Sequence, residues 1–141
     1  MKRLLFVALA LSACHSSTDI APGCDELKGT CKDAWKVTLR TTTPGAYAVV
    51  VKLADGTTST LSCLLPGAAC SGGDTNASAT VDTSGIELIA QRSSASFAVT
   101  VSRDGKPVFA QTFTPSYAPY YPNGSDCPPM CAGASDVADV P

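Results

Sequence analysis

ASFAVTVSRDGKPVFAQTFT, residues 95–114, alternates apolar with polar side chains on both sides of an Asp104-Gly105 pair. Alternation with a period of two buries one face of a strand, and Asp-Gly tolerates the positive φ angles of a tight hairpin turn. The segment therefore predicts two antiparallel strands. Phe97, Val99 and Val101 face inward on the first, and Phe109 and Phe113 on the second.

Upstream, the same logic recurs. Residues 34–40 (AWKVTLR) set Trp35, Val37 and Leu39 against Lys36, Thr38 and Arg40, the pattern of a half-buried strand. Residues 46–53 (AYAVVVKL) are apolar on both faces and rich in β-branched side chains, as a central strand is. They run into Asp55-Gly56, a second hairpin signal, and residues 57–63 return from it. Residues 63–76 (CLLPGAACSGGDTN) read as a loop, followed by weaker strands near 77–82 and 85–91. Almost nothing between positions 34 and 114 has helical period.

Short strands separated by turn signals every eight to twelve residues or so describe an all-β fold, an antiparallel β-sandwich of about seven strands. Immunoglobulin-like and transthyretin-like sandwiches both fit. The Cys…Trp…Cys order of true immunoglobulin domains is missing, because Trp35 precedes the candidate inter-sheet cysteines.

The chain starts differently. Met1, Lys2 and Arg3 form a cationic head, and residues 4–11 (LLFVALAL) are an apolar run too short to span a bilayer, which takes about 20 residues. Cation, short apolar run and small residues are the parts of an export signal. Leu11-Ser12-Ala13-Cys14 then resembles the lipobox of bacterial lipoproteins. The resemblance covers the first fourteen residues. It implies removal of residues 1–13, two or three acyl chains on Cys14, and attachment to a membrane through them; one chain alone would hold only marginally. His15 after the anchor, where Asp would retain a lipoprotein at the inner membrane, implies sorting to the outer membrane.

Seven cysteines are many for this length, and with Cys14 assigned to lipid an even six remain: Cys24, Cys31, Cys63, Cys70, Cys127 and Cys131. An exported chain meets an oxidising compartment, so three disulfides are expected. The six fall into three close pairs in sequence, which predicts the local pairing Cys24/Cys31, Cys63/Cys70 and Cys127/Cys131. Loops this short stabilise by only about 2 to 2.5 kcal/mol each, so they clip the fold and do not replace its core. A zinc site would need Cys-x2-4-Cys pairs, and only CPPMC has that spacing; Cys-x-x-Cys redox pairs do not occur.

Residues 14–33 are polar and punctuated, as suits a tether, and residues 34–141 form one domain. Loss of Lys2 and Arg3 with the signal leaves eight basic against twelve acidic residues, a formal charge of −4. No clustered basic stripe marks a nucleic-acid partner. The tail PNGSDCPPMC, residues 122–131, is similar to the P-N-G-x-x-C-x-x-x-C ending of a group of small, functionally uncharacterised bacterial lipoproteins with β-sandwich domains. That resemblance supports the architecture and implies no activity.

The residues for chemistry are sparse. His15 is the single histidine and sits beside the anchor, and Glu26 and Glu87 are the only glutamates, so no Ser/His/Asp or Cys/His constellation can be assembled in the domain. Asp74-Thr75-Asn76 with Asp82 nearby superficially resembles a calcium loop but lacks its carboxylate spacing, which predicts a plain turn. No cofactor or metal is expected. The candidate binding residues are Tyr117, Tyr120 and Tyr121, set among Pro115, Pro119 and Pro122, either as a stacking surface or as a lid folded over one end of the sandwich. The expectation is a non-catalytic, lipid-anchored cell-envelope protein acting by structural or protein contact. The alternative is a binding module for a small ligand, a glycan or a foreign protein, including an inhibitor.

Overall fold

The structure, a computed structural model, describes residues 33–67, 69–91, 94–124 and 127–141. Its strands are β1 (Ala34–Arg40), β2 (Gly45–Leu53), β3 (Thr58–Leu65), β4 (Cys70–Gly72), β5 (Ala77–Asp82), β6 (Gly85–Ala90), β7 (Phe97–Arg103), β8 (Lys106–Phe113), β9 (Ala118–Tyr120) and β10 (Cys131–Asp139). They form two five-stranded sheets, ordered β5-β6-β1-β10-β9 and β4-β3-β2-β7-β8. The protein is a disulfide-clipped β-sandwich. Ten strands among the described residues replace the expected seven or so, because β4, β9 and β10 carry weak strand signals of their own.

Strand order discriminates between the two candidate topologies. Reading β1, β2, β3, β5, β6, β7 and β8 in turn gives the B, C, C′, D, E, F and G places of an immunoglobulin-type Greek key, with matching antiparallel neighbours. The place of the first strand, beside β1, is filled from the other end of the chain. There β10 pairs with β1 in parallel, from Ala34↔Gly133 to Arg40↔Asp139. The sandwich is thus antiparallel except at this one ladder among the described residues.

The core lies where the alternation placed it. Trp35, Val37 and Leu39 of β1 meet Val49 and Val51 of β2 and Phe97, Val99 and Val101 of β7, all essentially inaccessible to solvent. Trp35 stacks on Phe97 with ring centroids 4.3 Å apart and tilts against Phe113 at 5.1 Å. Each such side chain stabilises the fold by about 1.5 to 3 kcal/mol through burial alone.

The two hairpin signals resolve differently. Asp104 and Gly105 both take positive φ, 51° and 77°, as a two-residue hairpin requires. At the β2–β3 turn only Gly56 does, at 89°, and Leu53 N–H bonds Thr57 carbonyl at 2.9 Å. That turn is a three-residue loop over Ala54, Asp55 and Gly56, the next commonest hairpin connection. The segment read as a loop over residues 63–76 is bounded by more strand than expected: β3 continues to Leu65, and Cys63 sits directly opposite Cys70 on the short strand β4.

Candidate functional site

The three tyrosines arise in the connection from β8 through β9 to β10, and the structure gives them separate tasks. Tyr117 packs against the core, and its hydroxyl accepts from Ser94 N–H at 3.0 Å and donates to Ser94 carbonyl at 3.2 Å. It latches the β8–β9 segment to the approach to β7. Tyr120 lies on β9 with its ring over Gly133 of β10, so close that an added Cβ at Gly133 would stand 3.3 Å from the ring. An aromatic ring laid over a strand glycine covers backbone that has no side chain of its own. Tyr120 and Tyr121 remain exposed, at 41% and 37%. The prolines have not gathered the three rings into one platform.

Of the six disulfide candidates, Cys63 and Cys70 form a bond across adjacent strands with Cα atoms 4.1 Å apart. Cys127 and Cys131 are each disulfide-bonded and buried. Cys24 and Cys31 lie outside the described residues, as does the lipidation candidate Cys14. Asp33, the first described residue, accepts a hydrogen bond from Ala132 N–H at 2.9 Å, so the chain enters the domain beside β10.

The acidic turn is accounted for by local geometry. Asp74 Oδ1 accepts from Asn76 N–H, from the buried Ser59 hydroxyl and from Ala77 N–H, at 2.7, 2.9 and 3.2 Å. These donors, Asn76 first, hold its carboxyl below the usual aspartate value. Asp82 is held down in the same way, chiefly by the Ser84 hydroxyl and then by the backbone N–H groups of Ser84 and Gly85. Both carboxylates are turn acceptors. Among the described residues no three His, Cys, Asp or Glu side chains converge as a metal-holding group.

The chain matches no family model, no curated protein and no solved structure.

The two outer faces differ in charge. On the β5-β6-β1-β10-β9 sheet, Lys36 pairs with Glu87 at 2.6 Å, and Arg40 grips Asp139 through two bonds of 2.8 and 3.0 Å. That is an ordinary solvated face. On the other sheet the outward positions of β2 are Ala46, Ala48, Val50 and Lys52, flanked by hydroxyls from Thr60 and Ser62 of β3 and Thr100 and Ser102 of β7. Lys52, at one end, is the only charge on these three strands' outward positions.

Two hollows are notable. One, of about 470 Å³, lies on the uncharged face from Ser102 of β7 over Ala46 and Ala48 to Ser71 of β4, and Leu64, 60% exposed, is among the residues that line it. The second, of about 590 Å³, opens at one end of the sandwich between the two sheets, lined by Thr41, Thr42, Pro44, Leu65, Asp82 and Thr83. Sequence reasoning missed both. The first was legible only as a run of small residues on β2, because a face is assembled from strands distant in sequence.

Proposed function

We propose that this chain is a non-catalytic, lipid-anchored protein of the cell envelope, held at the outer membrane by acyl chains on Cys14 and acting by structural or protein contact. The observation that carries the proposal is Leu11-Ser12-Ala13-Cys14 directly after a cationic head and an eight-residue apolar run. Three further features support it. The cysteines left after Cys14 are even in number, as export to an oxidising compartment favours. The carboxylates with perturbed protonation, Asp74 and Asp82, are occupied by turn donors, Asp82 at the wall of the end hollow. A broad uncharged outer face offers contact area without a reactive centre.

The test is Cys14→Ala in the native envelope. The wild-type protein should take up radiolabelled palmitate and fractionate with the outer membrane, while the variant incorporates no label and retains its signal. Unlabelled wild-type protein in the soluble periplasm, with an N-terminus other than Cys14, would overturn the proposal.

The end hollow favours one other reading, a binding module for a small polar ligand or glycan. Its threonine hydroxyls and the second oxygen of Asp82 are suited to hydrogen-bonding sugar hydroxyls.

A further inference from the structure

We infer that two copies of this protein pair through the outer face of the β4-β3-β2-β7-β8 sheet, with Leu64 of each copy seated in the hollow over Ala46, Ala48, Ser62 and Ser102 of the other. The inference deepens the contact role proposed above and rests on it.

Three observations point to a second copy as the occupant. The first is charge. A twofold contact sets the same patch against itself, so any charged side chain near its centre meets its own sign. The charged face, with Lys36, Arg40, Glu87 and Asp139, is ill suited to such a contact, whereas the β2-centred face carries charge only at its ends, Lys52 at one and Asp104 beside Ala46 at the other. The chain is acidic overall, which makes a neutral patch the place where like molecules can approach.

The second is shape. Leu64 is among the most exposed large apolar side chains of the described residues, and it rises from the wall of an apolar hollow on the same face. Ala46 and Ala48 on β2, with Ser102 across the β2–β7 ladder, leave that hollow unfilled. A twofold axis lying in the interface near β2 carries β3 of one copy over β7 of the other. Each leucine then meets the partner's hollow, a knob and a hole that are self-complementary.

The third is area. Four long strands spaced about 4.8 Å apart, each presenting roughly 25 Å of length, offer about 500 Å² per copy. A pair would bury about 1,000 Å², at the lower bound of specific interfaces, which predicts a weak dimer in solution. Tethering both copies to one membrane would raise their effective concentration and favour the pair.

The experiment uses the mature chain, residues 14–141, with Cys14→Ser, so that neither acyl chains nor a stray thiol can join two copies. Sedimentation equilibrium over about a hundredfold range of concentration should show a reversible monomer–dimer equilibrium. Ala48→Lys and Ala48→Glu should each be monomeric with an unchanged melting temperature, and an equimolar mixture of the two should dimerise again. Leu64→Lys should weaken association at least tenfold, while Val137→Lys, on the exposed part of the opposite face, should leave it unaltered. A wild-type chain that stays monomeric throughout overturns the inference, as does a dimer indifferent to Ala48 and Leu64. Neither result bears on lipid attachment, which the palmitate experiment reads separately.

Discussion

Trp35 shows how much one side chain can depend on a residue a hundred positions away. Its ring is fully buried between Phe97 and Phe113, and its Nε1–H donates to Asp136 at 2.6 Å. A buried indole N–H without an acceptor would cost about 1 to 3 kcal/mol, so the inward-pointing Asp136 on β10 completes a core that apolar residues alone would leave unsatisfied. Thr41 and Tyr47 are settled in the same way: Tyr47 donates to Thr43 carbonyl at 2.7 Å, and its oxygen lies 3.2 Å from Thr41 Oγ1. At the surface, Asp74 and Asp82 carry a pH dependence. Their folded pKa values lie below the unfolded ones, so the stability they contribute is fully present above the unfolded value and is lost as pH falls through the folded one. Urea midpoints should therefore decline as pH is lowered from about 5 to about 2, and the double variant Asp74→Asn/Asp82→Asn should show a shallower decline. Carboxyl resonances titrating at the ordinary aspartate value would refute this assignment.

At the scale of elements, the segment between β8 and β10 was the least legible part of the chain. Its tyrosines and prolines suggested one recognition loop or one lid, and the structure divides them between a latch, a glycine cover and an exposed ring. The division predicts unequal effects. Tyr117→Phe, which removes the hydroxyl bonded twice to Ser94, should destabilise by about 1 to 2 kcal/mol. Tyr117→Ala should cost more, because the ring also leaves the core edge. Tyr121→Ala should stay within about 0.5 kcal/mol of wild type in chemical denaturation, as surface substitutions usually do. Equal losses at both positions would show that the loop acts as a single lid after all. β10 itself, CAGASDVAD, has no alternating apolar face and few good strand formers. It is a strand because β1 offers it seven paired positions and Trp35 needs its carboxylate, so the partner's hydrogen bonds override its own weak propensity.

For the whole molecule, Cys127 and Cys131 are disulfide-bonded close to where Asp33 meets Ala132. Peptide mapping of the oxidised protein should find no free thiol among Cys24, Cys31, Cys63, Cys70, Cys127 and Cys131, with Cys63 and Cys70 in one bridged fragment. Recovery of Cys127 and Cys131 joined to the Cys24 and Cys31 peptides would overturn local pairing there and mean that the tether is stapled to the β10 end of the sandwich. Reactive thiols without reductant would refute the framework altogether. The sequence by itself determined the all-β class, the inward faces of β1, β7 and β8, and the Asp104-Gly105 turn, because period-two burial and positive φ are imposed by residues close together in the chain. It also placed β5 and β6 within a residue. Only the tertiary structure decided that the C-terminal segment fills the first-strand place beside β1, that Asp136 serves Trp35, and that small residues of three strands merge into one uncharged face. Each of these depends on contacts between segments far apart in sequence, whose geometry no local pattern encodes.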